Sequence, residues 1–269
     1  MKAIDDITLK FDWAKQCLQS LKDEVAAYID TNPNTFEDKI EQQVGCDVVI
    51  ATSLRINLEP SPRIALLLGN FLYNSRATLD HLAYYLSATN PGVTPEILRA
   101  TEFPIFGNKT LYWKSDKSGR PDRRSGVWKI QAVVPSAQAI VEGLQPYHCS
   151  KGYHFDPLWK LNELCNIDKH RRLHVIQPPI GDGTLRCPGA MITKTETFFT
   201  GPLVDGTIIS RCWVTLPTPD AHVEMRHYPP RDVIVNQLEI LPHRVMETAG
   251  QIIQRIENDV IPDLVPFLR

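Results

Sequence analysis

Apolar and polar positions divide the chain into blocks of different period. From Ile4 to Asp30 apolar residues recur at helical spacing, at Ile7, Phe11, Ala14, Leu18, Leu21 and Val25, and Asn32-Pro33-Asn34 stops the pattern. Residues 36–58 change period: Phe36, Ile40 and Val44 lead through Gly45 into Val48-Val49-Ile50, Leu54, Ile56 and Leu58, which predicts a β-hairpin. Ser61 and Pro62 then supply an N-cap and a first-turn proline for a helix over 62–89. At about 27 residues such a helix is about 40 Å long. Its first half is apolar on nearly every side (Ile64, Leu66, Leu67, Leu68, Phe71, Leu72), the pattern of a buried helix. Arg63, Asn70, Asn74, Arg76 and Asp80 interrupt it too often for a membrane span.

Further along, Thr94-Pro95-Glu96 opens a short capped helix, Phe103-Pro104-Ile105-Phe106 reads as an extended apolar anchor, and Pro135 to Leu144 as a short helix. Asp156-Pro157 starts a helix expected to run over 157–176, stopped by Pro178-Pro179. Between 185 and 236 alternating β-branched and aromatic residues, punctuated by Gly-Pro, Asp-Gly and Pro-rich breaks, predict antiparallel strands. An amphipathic helix closes the chain over 242–261. Helices and strands come in blocks rather than in strict alternation, which argues for an α+β fold. The expectation is a helical bundle (about 4–30, 62–89, 157–176 and 242–261) with an antiparallel β-sheet from about 36–58 and 185–236. With no internal repeat and no clear linker, one domain is expected over 1–269. It carries an irregular basic insertion at about 107–126. That stretch holds Lys109, Lys114, Lys117, Arg120, Arg123 and Arg124 against two acids, with Tyr112 and Trp113 among them. It reads as a solvated, flexible insertion, though basic residues mixed with aromatics are also what single-stranded nucleic acid binds.

Composition narrows the picture. A formal charge of −2 gives no global attraction to a polyanion, and 43% apolar residues suffice for a core. Six cysteines are scattered without a Cys-x-x-Cys pair, so neither zinc-knuckle nor redox spacing is present. Asp5 and Asp6 stand where a signal peptide would need basic and then apolar residues, and no run of 18 apolar residues occurs. The chain reads as cytoplasmic, with reduced thiols and no membrane partner.

Candidate chemistry lies in two polar clusters on apolar helices. The first is Asn74, Arg76, Asp80 and His81; Arg76 and Asp80 are four apart and pair on one helical face. The second is Asn166, Asp168, Lys169, His170, Arg171 and Arg172, with Glu163 and His174 near. Burying such groups without partners costs about 2–7 kcal/mol each, so they meet partners or line a cleft. Side by side, the helices would set Asp80 against Arg171 or Arg172 and Asp168 against Arg76. One reading is structural, a buried polar network that fixes helix packing in a non-catalytic binding protein.

The motifs Asn-Ser-Arg-Ala-Thr-Leu-Asp-His-Leu (74–82) and Asn-Ile-Asp-Lys-His-Arg (166–171) are similar to those of a group of bacterial proteins; that resemblance spans most of the chain and implies no mechanism. Arg76-x-x-x-x-His81 on a bundle helix resembles the Arg-x4–6-His signature of the HEPN superfamily, over about 30 residues. That resemblance implies a metal-independent ribonuclease or RNA-binding protein, in which His81 serves as acid or base on the ribose 2′-OH and Arg76 holds the phosphate. Histidine titrates near neutral pH and a guanidinium fork suits phosphate. The family usually has a polar residue directly after the arginine, where this chain has Ala77. Arg76 and His81 also lie roughly 140° apart around a helix, so both must lean inward or a homodimer must complete the site. Asp80 and His170 would share the catalytic cleft, with Asn74, Asn166, Asp168, Lys169, Arg171 and Arg172 binding substrate. A second functional reading is a metal-dependent hydrolase with Asp80, His81, Glu163, His170 and His174 as ligands, opposed by the cations beside them. The preferred reading needs no cofactor; its expected partners are RNA and a second copy of the chain. His148, His154, His222, His227 and His243 read as surface or packing residues.

Overall fold

The computed structural model describes residues 2–173, 175–176, 183–198, 205–228, 232–235 and 243–268. The fold is α+β. Its contacts divide the chain into two compact units, each assembled from separate segments: Met1–Lys22, Ala65–His174 and Val245–Arg269 in the first, and Asp23–Ile64 and Val175–Arg244 in the second. The two long helices α1 (Lys2–Asp30) and α2 (Pro62–Ala88) each cross that division, so the chain passes between units without a linker.

The first unit is helical. α1 buries Ile7, Phe11, Ala14, Leu18 and Leu21, one stripe at alternating spacings of four and three. α2 starts where expected, with the Arg63 N–H donating to Ser61 Oγ at 3.2 Å. It buries Leu68, Phe71, Leu72, Leu79, Leu82 and Leu86 but leaves Leu66 and Tyr73 more than 60% exposed. Apolar residues all round the helix therefore did not mean burial all round; one stripe meets solvent. The short helices α3 (Pro95–Ala100), α4 (Lys109–Tyr112) and α5 (Gly126–Lys129) are N-capped by Thr94, Asn108 and Ser125. α6 (Pro135–Gly143) follows, and Asp156 caps α7 (Pro157–His170) by accepting the Leu158 N–H at 2.8 Å. α7 packs on α8 (Val245–Arg255), where Lys160 Nζ donates to Gln251 Oε1 at 2.9 Å. It stops at His170 rather than continuing to 176: Arg171 is extended (φ −161°, ψ 152°), and Val175–Ile176 pair as strand. Two β-branched residues with a strand partner outweigh helical spacing here.

Residues 107–126 form a built structure. Tyr112 is 1% exposed and meets Phe106 and Tyr147 edge-on, at ring separations of 5.7 and 5.9 Å. Beyond it the chain folds back on itself. The Asp116 carboxylate accepts the Ser118 N–H, the Ser118 hydroxyl and the Arg120 N–H; Ser115 bridges Pro121; and the Asp122 N–H donates to the Lys114 carbonyl. A Cβ on Gly126 would stand 2.2 Å from Tyr112 Cδ2, and that ring has nowhere to go. Gly126→Ala is therefore expected to destabilise by about 1–3 kcal/mol through overpacking, read as a lower urea midpoint at unchanged slope.

The second unit contains the strands β1 (Asn34–Val44), β2 (Asp47–Ile56), β3 (Val175–Ile176), β4 (Gly183–Arg186), β5 (Met191–Thr197), β6 (Ile208–Thr215), β7 (Glu224–His227), β8 (Ile234–Val235) and β9 (His243–Arg244). The main sheet is antiparallel in the order β1-β2-β6-β5, so the hairpin and the later β block join at the β2–β6 pair. Gly45 at φ +61° supplies the left-handed residue that a two-residue hairpin loop needs. Val48 and Ile50 alternate inward with Cys212 and Val214, covered by Leu185, Val223 and Met225. β4 pairs with β7, and β3, β8 and β9 form a small third sheet.

Candidate functional site

The α2–α7 junction exists, but its bonds are not those expected from the sequence. Arg76 and Asp80 form a fork on their own helix, with Nε to Oδ2 at 3.2 Å and Nη2 to Oδ1 at 3.1 Å. Both ends of that pair then grip the backbone of one residue: Arg76 Nη2 donates to the Phe103 carbonyl at 2.7 Å, and Asp80 Oδ1 accepts the Phe103 N–H at 2.9 Å. Phe103 is fully buried. At the other end of the anchor Gln145 accepts the Phe106 N–H at 3.0 Å and donates to the Pro104 carbonyl at 2.9 Å. Arg76, Asp80 and Gln145 thus satisfy four backbone groups of the irregular Phe-Pro-Ile-Phe segment, partners that secondary structure does not supply there.

α7 approaches α2 at Asp168. A Cβ on Gly69 would lie 2.6 Å from Asp168 Oδ2, so the glycine lets that carboxylate rest on the α2 backbone. Burial raises the Asp168 carboxyl above its ordinary value, and Glu163 is raised for the same reason. Cys165 lies within electrostatic reach of Arg76, Asp80, Asp168 and Lys169; burial dominates and pushes its thiol up to about 12, which removes it as a nucleophile. No ion pair joins Asp168 to Arg76, or Asp80 to Arg171 or Arg172, among the described residues.

The remaining predicted residues are dispersed. Asn74 is buried, donates to the Asn70 carbonyl at 2.6 Å and faces Cys17 of α1 at 3.7 Å. His81, Asn166, Lys169, His170, Arg171 and Arg172 are all exposed. Among the described residues no group of three or more His, Cys, Asp or Glu side chains is placed to hold a metal ion; His174 lies outside those residues. Asp80, the acid shared by both catalytic readings, is occupied by Arg76 and Phe103.

Two polar clusters join histidines that the sequence left as surface or packing residues. His148 Nε2 and the Tyr147 hydroxyl converge on Glu142 Oε1, at 3.1 and 2.7 Å. In the second unit, His227 Nε2 lies 2.9 Å from both Asp38 oxygens, and Thr52 donates to Asp38 at 2.7 Å. Neither follows a fixed sequence spacing: one needs the turn after α6, the other the pairing of distant strands.

The folded-back segment exposes a cluster of cations. Lys109, Lys114, Lys117, Arg120, Arg123 and Arg124 are all exposed, as are Leu111 and Trp113. Lys114 pairs with Asp122 at 3.4 Å and Arg124 acts on the same carboxylate by charge, while the side chains of Lys117, Arg120, Arg123 and Arg124 form no ion pair among the described residues. The two acids of the segment are committed internally: Asp116 to its turn and Asp122 to Lys114 and the Arg124 N–H. Their carboxyls lie below the ordinary value, Asp116 through its bonds from Ser118 and Asp122 through its bond from the Arg124 N–H. No helix among the described residues is long and apolar enough to cross a membrane. No protein-family model, curated protein or solved structure matches the chain.

Proposed function

We propose that the chain is a binder of single-stranded RNA, and that residues 107–126 are its contact surface. The single observation behind this reading is the exposed cation row: Lys117, Arg120, Arg123 and Arg124 form no ion pair among the described residues, on a segment that also exposes Trp113. Unneutralised cations attract phosphates, and an exposed indole offers a face on which any base stacks. In this reading the Arg76–Asp80–Phe103 arrangement is a brace that fixes the start of the surface segment. Arg76 carries no phosphate, since its Nε and Nη2 are already committed. His81 and His170 have no assigned chemistry.

The test is a fluorescence-anisotropy titration of a labelled single-stranded RNA at several salt concentrations. With four phosphates neutralised, the logarithm of affinity is expected to fall against that of salt with a slope of about −3. A duplex of the same sequence binds more weakly, because its bases are not free to stack. Absence of binding at low salt, or binding indifferent to salt, would overturn the reading.

A further inference from the structure

A depression of about 600 Å³, open to solvent, lies at the start of the basic segment and is lined by Lys109, Thr110, Trp113 and Glu142. Its backbone, its indole and its carboxylate are each held by neighbours. Lys109 and Thr110 lie on α4, capped by Asn108, whose side-chain Oδ1 accepts the Thr110 N–H at 2.8 Å. The Trp113 indole is 53% exposed and packs edge-on against buried Tyr112, with ring centroids 5.5 Å apart. Glu142 lies near the end of α6, and the turn Pro146–His148 folds back to place Tyr147 and His148 on its Oε1. Burial pushes the Glu142 carboxyl up, but the bonds from Tyr147 and His148 and the charges of His148 and Lys109 outweigh it, so the group lies below its ordinary value and is charged at neutral pH. A carboxylate has about four acceptor sites, two on each oxygen. Oε1 is filled by its two partners, while Oε2 has none among the described residues. Lys109 acts on this carboxylate by charge without forming an ion pair with it, which leaves an open acceptor and an ammonium on the same depression.

We propose that this depression is a guanine pocket: Trp113 stacks on the base, Glu142 Oε2 accepts from N1–H and N2–H, and Lys109 donates to O6. The proposal rests on the reading of the chain as an RNA binder and gives that surface a base preference. The edge chemistry selects one base. Guanine alone presents two adjacent donors next to an acceptor. Cytosine and adenine each put a ring-nitrogen acceptor beside their amino group, facing the carboxylate with a lone pair, and uracil flanks its single N–H with carbonyl oxygens. Discrimination by such a set is expected at about ten-fold or more.

The test compares three labelled RNAs of equal length on the full chain: all uridine, uridine with one central guanosine, and uridine with inosine at that place, which lacks the N2 amino group. The guanosine RNA is expected to bind about ten-fold tighter than all-uridine, and inosine to lose most of that gain. Glu142→Gln provides a second arm. The donors of Tyr147 and His148 hold the amide oxygen at the Oε1 position, so the amide NH₂ takes the Oε2 position and opposes the guanine donors. This variant should bind guanosine and all-uridine RNA alike while keeping the salt slope. Equal, salt-dependent affinity for all three RNAs in the native chain overturns the pocket and leaves RNA binding standing. Guanosine monophosphate, titrated alone by calorimetry, separates the sources of the base: its binding without any RNA binding keeps the pocket and overturns RNA as the ligand. Binding of neither overturns both.

Discussion

Replacing Asp80 by alanine is expected to lower the unfolding free energy by about 3 kcal/mol, at the lower edge of what breaking a buried ion pair costs. The substitution removes both contacts to the Arg76 fork and the acceptor for the Phe103 N–H. Arg76, with a side chain only 13% exposed, would retain the Phe103 carbonyl alone. Its Nη1 is already buried without a partner, so no slack remains to absorb the loss. Asp80 itself is 34% exposed, which lets water reach the gap and keeps the cost from rising further. For a chain of this size the thermal midpoint should fall by about 6–12 °C. A denaturant titration checks the magnitude; a change under about 0.5 kcal/mol, the ordinary surface range, would mean that the fork carries no load. RNA affinity measured well below the new midpoint should change by less than about three-fold, because Gln145, Asn108 and the Tyr112–Phe106 contact still hold the start of the surface segment.

The opposite dissociation of effects is expected at the surface. Reversing Arg120, Arg123 and Arg124 together to glutamate should weaken single-stranded RNA binding by at least about 100-fold at moderate salt and flatten the salt slope, since three neutralised phosphates become repelled ones. The melting temperature should stay within a degree or two, because these exposed side chains form no ion pair among the described residues and the turn beneath them is held by Asp116, Asp122 and Tyr112. Affinity within two-fold of native would remove residues 107–126 as the contact surface. A pair of variants that separates stability from binding in both directions says more than either alone.

How far the sequence carried depended on the range of each interaction. α1, α2 and the hairpin at Gly45 were legible because local period, caps and turn chemistry agreed on them. The end of α7 was not: Leu173 and Val175 continue a helical spacing, and the strand partner that draws Val175–Ile176 away lies at Ile234–Val235, far along the chain. The Arg76–Asp80 pair was readable as an i, i+4 couple, yet its purpose was hidden because its third partner is a backbone peptide, which has no side-chain signature. Residues 107–126 read as a flexible insertion because Gly, Ser, Asp and Lys dominate them. A single buried tyrosine and two aspartates that cap their own turn suffice to order the stretch, and such economy leaves little trace in composition. Glu142, Tyr147 and His148 share no helical face; only the turn after α6 brings them onto one oxygen.

If function lies on the basic segment and structure at the α2–α7 junction, hydrogen exchange of the native chain with and without single-stranded RNA separates the two most directly. Slowed exchange across Lys114 to Arg124, with Asn74 to Leu82 and Asn166 to His170 unchanged, is the predicted result. Slowing confined to the two helical motifs, with the basic segment unaffected, would contradict it.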